Sequence, residues 1–183
     1  MPTDVEIARW RLRSQHLVEP RLPTATDVAG SLLAVQAENP AQSAWAVATR
    51  TSGPDPADLA GALADGRVVR THVMRATWHY VTGEDLSWLL ELTAPRIRPT
   101  FREQLRTLHG LDDGRVERLG GLVHDALAGG RHLTRPQLAD ELAAAGHDLT
   151  GQALMHLLGE LELQGLLCSG APVEGVHRYA LLA

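Results

Sequence analysis

Two capped helical runs followed by two short extended runs, all within the last fifty residues, leave this chain few folds to choose from. Thr134-Arg135-Pro136-Gln137 is a capping box ahead of Leu138 and Leu142, and Gly146 ends the helix it opens. Thr150 opens a second helix through Leu154, Leu157, Leu158 and Leu161, closed by Gly165. Leu166 to Ser169 and Val176 to Leu181 then read as strands around a Gly170-Ala171-Pro172…Gly175 turn. Helix, helix, hairpin is the order of a winged helix-turn-helix, whose second helix can enter a DNA groove. Here that second helix offers Gln152, His156, Glu160 and Glu162 and no arginine, so it is expected to pack internally.

The earlier sequence repeats the order less sharply. Val5 to Val18 carries a rough helical stripe, ended by Glu19-Pro20 and Leu22-Pro23. Thr26 and Asp27 open a helix through Val28, Leu32, Leu33 and Val35 that runs towards Gln36, until Asn39-Pro40 breaks it. Pro40 suits the first turn of the next helix, which holds Trp45 and Val47, and a short one follows through Leu59 and Leu63. The period then changes: Arg67 to Val73 and Ala76 to Val81 alternate and are rich in Val, Thr, Trp and Tyr, which predicts a β-hairpin. Thr82 with Asp85 resembles a capping box for a helix through Leu92, and helical pattern resumes after Pro95 and Pro99. A further helix covers Val116 to Leu127. The expected architecture is mainly α with short β-hairpins, a tandem winged helix-turn-helix. Residues 1–110 form the first unit, with its hairpin at 67–81, and 111–183 the second, with its wing at 166–182. The seam falls at 110–115.

Charge and composition restrict the function. The chain has 183 residues and a net charge of −5, so its surface as a whole is not a nucleic-acid footprint, and any such site is a local patch. All 17 basic residues are arginine, the better side chain for forked contacts to phosphate. Four of them, Arg96, Arg98, Arg102 and Arg106, crowd one stretch against a single acid, Glu103, and the last three stand at i, i+4 and i+8 on one ridge. That ridge either tracks DNA phosphates or is a solvated face pairing with acids elsewhere. The lone Cys168 excludes a disulfide framework and a multi-cysteine zinc site, no histidine pair has metal-ligand spacing, and no phosphate-binding glycine loop occurs. No metal or cofactor is expected. No apolar run reaches the roughly 20 residues of a membrane span, and Asp4 and Glu6 do not suit a leader. A cytoplasmic protein without membrane contact is expected.

Four strings in order resemble one family: Arg11-Leu12-Arg13-Ser14-Gln15-His16-Leu17, Val35-Gln36-Ala37-Glu38-Asn39-Pro40-Ala41-Gln42-Ser43-Ala44, Arg75-Ala76-Thr77-Trp78-His79-Tyr80-Val81 with the following Glu84 to Leu89, and Gly165 to Gly170 with Tyr179-Ala180-Leu181-Leu182. Together they resemble the bacterial winged-helix DNA-binding proteins that include the AlkZ-type and YcaQ-type DNA glycosylases. The resemblance implies removal of alkylated purines and unhooking of interstrand crosslinks in double-stranded DNA at the nucleoid. It also implies a catalytic Gln-x-Gln or Gln-x-Asp pair at Gln36-Ala37-Glu38. Glu38 is the Asp version lengthened by one methylene. Beside the family the chain looks one winged helix and one barrel short, so a homodimer or a C-terminal domain supplied elsewhere is expected to complete the DNA grip.

Hydrolysis of an N-glycosidic bond passes through an oxocarbenium-like sugar, which calls for a carboxylate near C1′ and a positioned water. Glu38 can stabilise the cation and accept the water's proton while Gln36 orients that water. The two side chains converge only if the chain is extended there, which Asn39-Pro40 favours. The competing reading is a polar helix end, with Glu38 or Asn39 capping the helix that starts at Pro40. His79, with Thr77 and Arg75 beside it on the hairpin, supports the site or, equally, His79 is a half-buried strand residue with a backbone partner. A non-catalytic DNA-binding or regulatory protein stands as the alternative function.

Overall fold

The computed structural model describes residues 1–182. The period change at 67–81 becomes strands β2 (Val68–Val73) and β3 (Thr77–Thr82), antiparallel from Val68↔Thr82 to Val73↔Thr77. Before them come α1 (Asp4–Ser14), α2 (Ala25–Leu32), β1 (Val35–Gln36), α3 (Pro40–Ala48) and α4 (Pro56–Ala64). After them come α5 (Gly83–His109), α6 (Asp113–Leu127), α7 (Arg135–Ala144), α8 (Gly151–Leu163), β4 (Leu167–Val173) and β5 (Val176–Leu181). The chain is mainly helical with two small antiparallel sheets, ordered β1-β3-β2 and β4-β5.

Three expectations are corrected. The helix expected to run towards Gln36 stops at Leu32, and Leu33 adopts φ +65°. Val35 and Gln36 then become a third strand, opposite Tyr80 and His79 on the free edge of β3. The breaks expected at Pro95 and Pro99 do not occur, and α5 runs 27 residues through both. Each proline costs a helix about 3 kcal/mol. Both prolines, and Glu91 whose carbonyl Pro95 leaves free, lie on the exposed side, where water serves the lost bonds. The opposite side buries Leu86, Leu89, Leu90, Ala94, Ile97, Phe101 and Leu105, at about 1.5–3 kcal/mol for each large side chain. Burial wins. In the C-terminal hairpin, β4 continues past the expected turn at Gly170 through a bulge to Val173, and the turn narrows to Glu174 (φ +51°) and Gly175 (φ +75°). Two positive φ values suit the two-residue turns that match strand twist.

Helix α8 lies along α5. Gly159 makes the approach possible: a Cβ there would stand 2.5 Å from Phe101 Cε1. Leu154, Leu157, Leu158, Leu161 and Leu163 are buried, and so are Glu160 and Glu162. The second helix of the C-terminal helix pair therefore faces inward. One core joins α6, α7 and α8 to Leu167 and Tyr179; a second lies between the β2-β3 sheet, α5 and Leu163; a third holds α2, α3 and α4 against Val68 and Tyr80. By contrast, none of the residues of α1 is buried.

Candidate active site

The site begins where β1 meets β3. Residues directly opposite on antiparallel strands point to the same face, and so do residues two apart along a strand. The pairing Gln36↔His79 continues through the Ala37 N–H to the Trp78 carbonyl at 2.7 Å. Gln36, Thr77 and His79 thus share one face of the sheet, and Glu38 stands just past the end of β1 at the sheet edge.

At Trp78 the ladder changes partner. The Trp78 N–H donates at 2.6 Å to Glu38 Oε1. The carboxylate has taken the place of the Ala37 carbonyl, which turns away and accepts from Arg70 Nε at 2.9 Å. Glu38 remains exposed, its second carboxylate oxygen has no hydrogen-bond partner among the described residues, and Gln36 is exposed beside it. The cap of α3 is Asn39, whose side chain accepts from the Gln42 N–H at 3.1 Å. Glu38 is free of that duty.

His79 is buried, with Nδ1 2.9 Å from the Thr77 carbonyl. A carbonyl only accepts, so Nδ1 carries the proton. Burial lowers the imidazole pKa, outweighing the pull of that hydrogen bond. The neutral ring therefore presents Nε2 as an acceptor. Arg75 is exposed at the hairpin turn. His72, one register step away, serves elsewhere: Nδ1 bonds the carboxylate of Glu162 on α8.

The arginine ridge is largely spoken for. Arg98 Nε and Nη2 and Arg102 Nε all donate to Glu160 Oε1 at 2.9–3.0 Å. Glu160 is fully buried and needs that compensation. Arg106 pairs with Glu103 on its own helix. Arg96 is exposed with no ion pair among the described residues. The ridge expected to follow phosphates thus divides, with Arg98 and Arg102 committed to the fold. The acid that claims them lies about sixty residues downstream, beyond any local pattern.

Two residues beside the site escaped the sequence reading, Arg70 and His177. The Arg70 guanidinium sits 4.1 Å above the Trp78 ring, and Nη1 is 3.4 Å from His177 Nδ1. Nothing in their neighbourhoods marks them, because each is defined by partners far away in sequence. Burial, then the charge of Arg70, pushes the His177 pKa down to about 3. An imidazole kept neutral in the fold takes up a proton on unfolding, so its contribution is full above about 6.5 and drains away as pH falls towards about 3. The unfolding free energy is expected to decline between pH 6.5 and 5.5, above the carboxylate range. This one group contributes a slope of at most about 1.4 kcal/mol per pH unit. Urea titrations of His177→Phe should show a reduced slope; an unaltered one removes His177 from the account.

Among the described residues no helix is long and apolar enough to cross a membrane. A family model described as DNA glycosylase AlkZ-like matches residues 29–183. An interstrand DNA cross-link repair glycosylase of Streptomyces sahachiroi is 27% identical over 174 residues, which is 90% of this chain and 45% of that protein. The solved structure of Streptomyces sahachiroi DNA glycosylase AlkZ, also 27% identical, matches with a TM-score of 0.78 over 95% of this chain and 48% of its own. The chain spans about half the length of the relatives it matches.

Proposed function

The chain belongs to the AlkZ-like DNA glycosylase family, and from that premise we propose that it hydrolyses the N-glycosidic bond of alkylated purines in duplex DNA, with Glu38 and Gln36 as the catalytic pair. The observation that carries this reading is the pairing that sets Gln36 beside His79, with the exposed Glu38 next to them anchored through one carboxylate oxygen on the Trp78 N–H.

An N7-alkylated purine is already cationic, so it needs no strong general acid to leave. The C1′–N9 bond breaks with its electron pair going to the base, which departs neutral. Positive charge develops at C1′, and the Glu38 carboxylate stabilises it. Gln36 orients a water, whose oxygen bonds to C1′ while its proton passes to Glu38. His79, neutral and with Nε2 as an acceptor, helps fix that water; Thr77 supplies its orienting carbonyl. The same step at one end of a crosslink frees that end.

In this reading the partner is damaged double-stranded DNA at the nucleoid. Arg75 at the hairpin turn, with Arg96 and Arg106 exposed on α5, makes the phosphate contacts. Arg98 and Arg102, committed to Glu160, are not counted among those contacts. The two winged units are residues 1–110 and 111–183, closely joined because α8 packs on α5. The inward-facing α8 argues against a regulator that reads base sequence with that helix.

The test is a single-turnover assay on a duplex carrying one N7-methylguanine. Free 7-methylguanine is expected to appear in first-order fashion at a rate well above spontaneous depurination. Release no faster than the protein-free control rejects the catalytic reading.

A further inference from the structure

We propose that Arg70 positions the Gln36–Glu38 segment, and that the C-terminal hairpin β4-β5 holds Arg70 in place to do so. The proposal rests on the assignment of Gln36 and Glu38 as the catalytic pair.

Arg70 lies in β2 opposite Tyr80, on the face of the sheet opposite to His79. From behind the segment it grips two successive carbonyls. Nε donates to the Ala37 carbonyl at 2.9 Å and Nη2 to the Glu38 carbonyl at 3.5 Å. The first of these is the carbonyl displaced from the ladder when the Glu38 carboxylate took the Trp78 N–H. Arg70 therefore satisfies the group whose rotation frees the Trp78 N–H for Glu38. The same guanidinium stacks on the Trp78 ring, so one planar group fixes both ends of the Trp78–Glu38 hydrogen bond. A lysine ammonium has neither the fork nor the flat face to do this.

Arg70 is in turn secured from the C-terminal hairpin. Ser169 Oγ on β4 accepts from the Arg70 backbone N–H at 2.7 Å, an outward N–H of edge strand β2. His177 on β5 approaches Nη1 at 3.4 Å, and its ring meets Trp78 edge-on with centroids 4.6 Å apart. A continuous set of contacts thus runs from β4-β5 through Arg70 and Trp78 to Glu38. Arg70 is a positioning residue: it touches the backbone that presents the pair.

Arg70→Met, Arg70→Lys and His177→Ala test this in the full chain, by amide hydrogen exchange and by single-turnover base release. In Arg70→Met, exchange at the Ala37 and Trp78 amides is expected to quicken about tenfold, the effect of losing charged hydrogen bonds. The Leu138 and Leu142 amides of α7 should keep their protection. The saturating rate should fall about 100-fold, as for a small misplacement of catalytic groups, while DNA affinity stays the same. Lysine should not restore the rate. His177→Ala should shift the same two amides in the same direction by less, and it carries the test if Arg70→Met does not fold. Unchanged exchange at Ala37 and Trp78, or equal acceleration in α7, overturns the proposal. So does weaker DNA binding with a salt dependence reduced by about one ion and rescued by lysine, which would make Arg70 a phosphate contact. A wild type that releases no base defeats the functional reading alone, because the exchange measurement still decides whether Arg70 orders the segment.

Discussion

Glu38→Ala is expected to lower the saturating rate of 7-methylguanine release by about 10²–10³-fold, the range seen when one electrostatic stabiliser of a transition state is removed. The carboxylate is the anionic member of the proposed pair, and positive charge reaches C1′ only as the base departs. The effect should therefore fall on the single-turnover rate rather than on DNA affinity. Folding should change little. Glu38 is exposed, and the Trp78 N–H that loses its acceptor lies where water can replace it. Glu38→Gln is the informative companion, because it makes a Gln-x-Gln pair and keeps an acceptor for Trp78. It should retain more activity than Glu38→Ala. Equal release by wild type and Glu38→Ala would remove Glu38 from the chemistry.

The second large effect concerns stability. His72→Ala is expected to cost about 3–5 kcal/mol in urea unfolding at pH 8, because it strands the partner of a buried polar pair. The side chains of His72 and Glu162 are 8% and 0% exposed, and Glu162 has no route to bulk solvent. Burial raises the Glu162 pKa, against the opposing pull of His72 and Arg70. A carboxyl whose folded pKa is raised weakens the fold as pH climbs from its unfolded value of 4.5 through the raised one. Without His72 that penalty deepens, so the variant should be distinctly more stable at pH 5 than at pH 8. Replacing both partners by leucine should recover much of the loss, since apolar groups of similar volume need no pairing. A cost below about 1 kcal/mol for His72→Ala would show that the pair carries no such burden.

What was legible in the sequence had local causes. The Thr134 capping box forms with Gln137 as written, because its partners are three residues apart. β2 and β3 are visible through their β-branched and aromatic residues, although burial does not alternate along them because both faces are largely covered. The inward packing of α8 could be inferred from its lack of arginine. Apart from the turn of the C-terminal hairpin, the failures involve distance. Pro95 and Pro99 look like breaks until the buried side of α5 is known, and Val35-Gln36 looks helical until β3 offers an edge. Arg98 and Arg102 look free until Glu160 arrives from α8. Within the candidate site, Gln36, Glu38 and His79 were singled out by their motifs, and their function is what the base-release assay tests. The Trp78 N–H that anchors Glu38, and the Arg70 that grips its backbone, come from a strand pairing no local pattern encodes.

The burial of α8 limits how such a chain can diversify. A helix exposed in a groove can exchange its outward residues freely and so acquire new target sequences. Here every residue from Leu157 to Leu163 is buried, so each substitution there is first a test of interior packing. Tolerated change is therefore displaced onto exposed positions, the hairpin turn and the edge beside Gln36 among them.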